Sequence, residues 1–163
     1  MTAEQDVPGK ARKARLCRLE RVFVPTPIYF VTANAANRLP ILAIPEIHTS
    51  FLEFARVGED RGAFTGAYVL MPDHIHLFVA LDPEMTLAAW MKSLKNSLSK
   101  TLRNQKIPAP HWQKGFFDHV LRSTDSYAQK WEYVRDNPVR AGLVRTWLEW
   151  PFSGEVHRLE YRD

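Results

Sequence analysis

"PDHIHLFVAL", residues 72–81, sets the architecture of this chain. Pro72 and Asp73 form a tight-turn signal, because proline presets φ for the first central position. The eight residues that follow alternate. Ile75, Leu77, Val79 and Leu81 share one side, and His74, His76 and Phe78 share the other. Strand side chains point to opposite faces in turn, so this spacing predicts a strand with one wholly apolar face. The opposite face begins with two imidazoles about 6.6 Å apart along the strand, close enough for tilted rings to converge on one ion. Directly before the turn, "TGAYVLM" (65–71) reads as a second strand, and the two make a β-hairpin.

Outward from the hairpin, "PIYFVTAN" (27–34) is aromatic and β-branched and reads as a strand. Residues 43–62 hold Ile47, Phe51 and Phe54 at helical spacing, with Pro45 suited to a first turn. Residues 86–105 form the clearest helix, with Leu87, Trp90, Met91, Leu94, Leu98 and Leu102 in one apolar stripe and Lys92, Lys95, Lys100 and Arg103 opposite. A proline-punctuated loop spans 107–112. A fourth strand is expected over 115–123 and a last helix over 123–138, closed by Pro138. Trp147, Trp150 and Phe152 in the tail are expected to pack back on the domain. The order βα-ββ-αβ-α predicts a ferredoxin-like α+β sandwich: a four-stranded, mainly antiparallel sheet with two helices on one face and an extra C-terminal helix.

The 163 residues, 45% hydrophobic, suit one core. Residues 26–163 read as a single domain preceded by a basic arm, 1–25, with Lys10, Arg12, Lys13 and Arg15 as candidate nucleic-acid contacts. The single cysteine, Cys17, excludes a disulfide framework and a thiolate zinc cluster and fits a reducing compartment. No apolar run approaches the roughly 20 residues of a membrane helix, and no signal peptide is read at the N-terminus. A net charge of +4 leans weakly towards polyanionic partners.

On the last helix, Tyr127, Trp131 and Val134 fall at i, i+4 and i+7 and make a core stripe. Tyr133 points about 100° or more away from that stripe. Its i+4 neighbour is Asn137, which puts phenol and amide on one side of the helix, approximately so because Pro138 disfavours helical geometry at Asn137. A phenol is a poor nucleophile on its own, and a divalent ion that polarises a phosphate makes its attack feasible. Two neutral imidazoles do not complete a divalent site, so a third ligand must come from elsewhere. Arg122, Arg135 and Arg140 are candidate phosphate contacts beside this helix, as are Lys92 and Lys95 on the one before it.

An ordered series carries a more specific signal: "YFVT" (29–32), "YVLMPDHIHLFV" (68–79), "SLKNSLSK" (93–100), "HWQKGFFDHVLRS" (111–123), "WEYVRDNPVRAGLV" (131–144) and "WPFS" (150–153). With it the chain resembles the REP-associated tyrosine transposases, single-tyrosine members of the HUH (His-hydrophobe-His) endonuclease superfamily. The resemblance implies that His74 and His76 bind Mg²⁺ or Mn²⁺, that Asn137 is the third ligand, and that Tyr133 is the nucleophile that forms a 5′-phosphotyrosine link. It implies single-stranded or hairpin DNA as the partner, at the foot of repetitive extragenic palindromes. It further implies a cytoplasmic, nucleoid-associated bacterial protein, monomeric or homodimeric, with no membrane partner and no small-molecule substrate. The alternative is a domesticated module that binds hairpins without cutting them. An RNA-binding domain is disfavoured, because neither "YFVTANAA" nor "HIHLFVAL" carries the aromatic pattern such domains use.

Overall fold

The computed structural model describes residues 21–25 and 27–162. The predicted hairpin is its centre. β3 (Ala63–Leu70) and β4 (His74–Leu81) pair antiparallel, and β2 (Ile28–Asn34) pairs antiparallel with β4 on the other side. β5 (Phe117–Leu121) adds to β2 at the edge. Beyond the four expected strands, a fifth from the tail, β6 (Ser153–Glu155), pairs with β3, giving the sheet order β5-β2-β4-β3-β6. A small parallel pair joins β1 (Arg21–Phe23) to β7 (Arg158–Glu160). β1 therefore lies within the segment read as a basic arm, and Lys10, Arg12, Lys13 and Arg15 lie outside the described residues.

The alternation in β4 divides the protein into layers. Ile75, Leu77, Val79 and Leu81 are buried under α1 (Pro45–Glu59) and α2 (Leu87–Asn104), against Ile47, Phe51, Trp90, Met91, Leu94, Leu98 and Leu102. α1 has Pro45 in its first turn, where the missing N–H removes no helical bond. α2 is capped by Thr86, whose hydroxyl accepts from the Ala89 N–H. On the other face, Phe78 and Ala80 of β4 meet Ile28 and Phe30 of β2 and the stripe of α3 (Thr124–Val134). This is the α+β sandwich expected, with its extra C-terminal helix on the histidine side.

That helix is shorter than its sequence suggests. α3 stops at Val134, residues 135–136 form a turn, and a four-residue helix, α4 (Asn137–Arg140), restarts the chain. Pro138 is the physical reason: it disfavours helical geometry in the residue before it and lacks the N–H that would continue the ladder. Tyr133 and Asn137 therefore stand on two helices, not on one.

A bulge in β3 fixes how α3 docks. The β3–β4 register shifts between Thr65 and Tyr68, which frees the Ala67 N–H. That N–H donates to the Tyr127 hydroxyl at 2.9 Å, so a phenol from α3 takes the place of the missing strand partner. A Cβ on Gly66 would fall 2.6 Å from the same hydroxyl and 2.9 Å from Leu159, so only glycine lets α3 and β7 come this close.

Candidate active site

Both histidines stand at the start of β4, on the α3 side of the sheet. Their ring centroids are 4.7 Å apart and nearly perpendicular. Each ring is anchored through Nδ1: His76 to the Thr32 hydroxyl at 2.8 Å, and His74 to the Asp73 carboxylate at 2.7 Å. His74 donates its Nδ1–H to the carboxylate, and the same tautomer in His76, donating to the Thr32 hydroxyl, leaves both Nε2 lone pairs for a ligand, the arrangement in which metal-binding imidazoles are held. Asp73 is held in turn by Arg38, whose Nε donates to it at 2.9 Å. Burial alone would raise the Asp73 carboxyl, but hydrogen bonds and charge from His74 and Arg38 outweigh it and hold the group below its ordinary value.

His76 is pushed down to about 3, first by burial and then by the positive surroundings of His74, Lys130, Arg140 and Arg38. It is therefore neutral at physiological pH, the form that can ligate a metal. The same neighbours set the field of the site. Arg38 follows β2, Lys130 stands on α3 and Arg140 on α4, and all three bear on one imidazole. Phe30 stacks on His76 with centroids 5.3 Å apart, and the Lys130 ammonium lies 4.8 Å from the Phe30 ring centroid.

Tyr127 and Val134 are buried and Trp131 is half-buried, whereas Tyr133 is 63% exposed. Arg140 holds it. The guanidinium lies 4.1 Å from the Tyr133 ring centroid and donates to the Tyr133 carbonyl at 2.9 Å. The Asn137 amide donates to the Val134 carbonyl at 3.0 Å, which bridges the break between α3 and α4 and fixes the orientation of its Oδ1.

The other expected contacts are distributed differently. Lys92, Lys100 and Arg103 are exposed on α2, the layer across the sheet from the histidines. Lys95 is not a free cation: its ammonium donates to the Gln113 carbonyl at 3.1 Å and to that of Gly115, and lies 5.8 Å from the Trp112 ring centroid. Trp112 donates its indole N–H to the Lys95 carbonyl and Ser99 hydroxyl, so it packs rather than presenting its ring. Arg135 stacks over Trp147 at 4.5 Å. Arg122 is exposed just past the C-terminal end of β5, away from the end where Phe117 pairs with Thr32.

Sequence reading missed Thr32, Arg38, Asp73 and Lys130. Asp73 carried a signal, since a carboxylate adjacent to a candidate ligand in a turn is placed to orient it. Thr32 becomes visible only with the β2–β4 register, which sets it opposite His76. Arg38 owes its place to an irregular turn in which Asn37 and Arg38 both adopt φ of 53°, a left-handed conformation rare for such side chains.

Among the described residues no three His, Cys, Asp or Glu side chains cluster to hold a metal. A divalent ion here would thus rest on two imidazoles and non-titrating oxygens, a donor set that suits Mn²⁺ or Mg²⁺ with water completing the shell. The residues present fit such an ion.

A pair of imidazoles with free Nε2 atoms, a basic surround and an exposed tyrosine on α3 are the features expected of the single-tyrosine, His-hydrophobe-His class. The chain belongs to the family described as "Transposase IS200 like", whose model matches residues 38–137, a span that holds His74, His76, Tyr133 and Asn137. It is a transposase, and the resemblance read from the sequence is borne out. An Escherichia coli K12 REP-associated tyrosine transposase is 26% identical over 134 residues, 82% of this chain and 79% of that protein. A solved REP-associated tyrosine transposase bound to a REP hairpin shares the fold, with a TM-score of 0.62 at 24% identity over 85% of this chain and 82% of that one.

Proposed function

We propose that this transposase is a metal-dependent single-stranded DNA endonuclease and strand transferase acting on palindromic, REP-type hairpins. The observation that carries this reading is the pair of anchored imidazoles, both with Nε2 free, and the one arginine, Arg140, that both bears on His76 and grips the exposed Tyr133. His74, His76 and Asn137 would hold Mg²⁺ or Mn²⁺, and such an ion supplies polarisation of the scissile phosphate. Tyr133 attacks phosphorus. The bond from its phenolic oxygen to phosphorus forms as the bond from phosphorus to O3′ breaks, the phenolic proton is lost, and O3′ departs to become a 3′-hydroxyl. Attack by a new 3′-hydroxyl reverses the step and joins strands without an external energy source. Arg38, Lys130 and Arg140 offset phosphate charge around the site. Residues 26–163 act as the catalytic unit, and within 1–25, whose Arg21–Phe23 is tied to β7, the basic residues Lys10, Arg12, Lys13 and Arg15 act as an arm on DNA at the bacterial nucleoid.

Tyr133→Phe removes one exposed oxygen and keeps the ring under Arg140. Hairpin affinity is expected to persist while cleavage and the covalent adduct vanish. Labelled palindromic oligonucleotides with Mg²⁺ or Mn²⁺, resolved on a denaturing gel, provide the measurement. An adduct formed by Tyr133→Phe would refute the nucleophile, and tight binding by wild type with no adduct would favour a non-cleaving hairpin binder.

A further inference from the structure

One strand over from the histidines, towards the β5 edge, the sheet opens into a cleft of about 180 Å³ between Thr32 and Asn34 of β2 and the segment 113–117. We infer that this cleft binds one unpaired nucleobase of the DNA strand, stacked on Phe117 and read by the Gln113 amide. The inference rests on the function proposed above and names the part of the substrate that meets this surface.

Register positions the cleft. Thr32, whose hydroxyl anchors His76, pairs with His76 on one side and with Phe117 on the other. Phe117, Thr32 and His76 thus stand in a row across three strands on one face, spanning roughly 10 Å between the outer Cα atoms at ordinary strand spacing. Phe117 is 70% exposed, a large apolar ring on an edge strand beside the site. A base has a π-face for such a ring, and stacking of this kind is how single strands are held.

The loop behind the cleft is tied down. The Gln113 N–H donates to the Asn34 carbonyl at 2.9 Å, Ala35 bridges Trp112, and Lys95 clamps the carbonyls of Gln113 and Gly115. The backbone is therefore fixed, while the side chains of Gln113, Lys114 and Phe117 remain exposed. A chain of polar contacts then leads from the cleft to the histidines. The Asn34 amide reaches Gln113 Oε1 at 3.5 Å, Arg38 donates to Asn34 Oδ1 at 2.7 Å and to Asp73, and Asp73 holds His74. Gln113 keeps its amide donors and the second lone pair of Oε1 for a base edge, the donor–acceptor pair that glutamine offers to adenine, and Lys114 offers a cation to the adjoining phosphate. An aliphatic side chain from a protein partner would leave these amides unmatched.

The test uses hairpin oligonucleotides whose unpaired positions at the foot are varied through all four bases. Wild type, Phe117→Ala, Phe117→Trp and Gln113→Ala are compared, with binding measured in EDTA and adduct formation in Mn²⁺. Wild type is expected to discriminate bases at one position by roughly 10-fold. Gln113→Ala should flatten that preference. Phe117→Ala should weaken binding about 10-fold for every base, and Phe117→Trp should restore it. If the adduct forms but both alanine variants keep the wild-type base profile and affinity, the cleft assignment is overturned. If wild type shows the preference and the variants lose it without any adduct forming, the cleft stands and the cleavage reading falls.

Discussion

His76 is the residue whose environment departs most from the ordinary. Its value of about 3 lies below the usual 6.5 because burial and nearby cations disfavour the imidazolium. As pH falls through 6.5 the unfolded chain takes up this proton, and the folded chain does not until near 3. The neutral histidine's contribution to stability is thus complete above 6.5 and is lost progressively between 6.5 and about 3. Denaturant midpoints for the metal-free protein should fall over that window, and less steeply in His76→Gln. Burial lowers His48 as well, so part of the slope should survive the substitution. Asp73 invites a second measurement. Asp73→Asn removes the anionic partner of His74 and Arg38 while preserving size. Mn²⁺ affinity by calorimetry should drop about 10- to 100-fold, as it does when the outer partner of a metal-binding histidine is removed. Unchanged affinity would separate Asp73 from the proposed metal site.

Among the elements, α3 positions the tyrosine, and its dock on the β3 bulge decides where it sits. Tyr127→Phe keeps the ring against Phe78, 4.8 Å between centroids, but leaves the Ala67 N–H buried without a partner. A loss of about 1–3 kcal/mol is expected, read as a lower urea midpoint with an unchanged slope. Cleavage should fall with it, since the helix that presents Tyr133 is less firmly seated. Lys95 belongs to the same scale. It was expected on a DNA-binding surface, yet it links α2 to the loop that frames the β5 edge. Lys95→Ala should loosen that loop, seen as faster amide exchange at Gln113, whose N–H is bonded to Asn34.

Across the whole molecule, the sheet separates two basic surfaces. Lys92, Lys100 and Arg103 project from the α2 layer, while Arg38, Lys130 and Arg140 bear on His76 from the other side. If DNA lies on the histidine face, neutralising the α2 trio should leave hairpin affinity and its salt dependence unchanged. Replacing Lys130 and Arg140 with alanine should flatten the slope of log affinity against log salt, by about 0.7 for each single-strand phosphate no longer neutralised. The reverse outcome would move the DNA to the α2 surface. Among the described residues no helix is long and apolar enough to cross a membrane.

What the sequence determined by itself was what periodicity can carry. Alternation in 74–81 placed both histidines on the face away from the first two helices, and the stripe of Tyr127, Trp131 and Val134 left Tyr133 off the core. These are local facts, since side-chain direction follows from backbone geometry a few residues at a time. Only the tertiary structure decided what depends on residues far apart in the chain. The fifth strand needed the tail to reach β3, and its three residues are too short to announce themselves. The anchors of the two rings needed the β2–β4 register and the turn at 36–38, and the Tyr133–Arg140 stack needed the break that Pro138 imposes. Which cations surround His76 is a question of distance through space, and no spacing along one strand or helix encodes it.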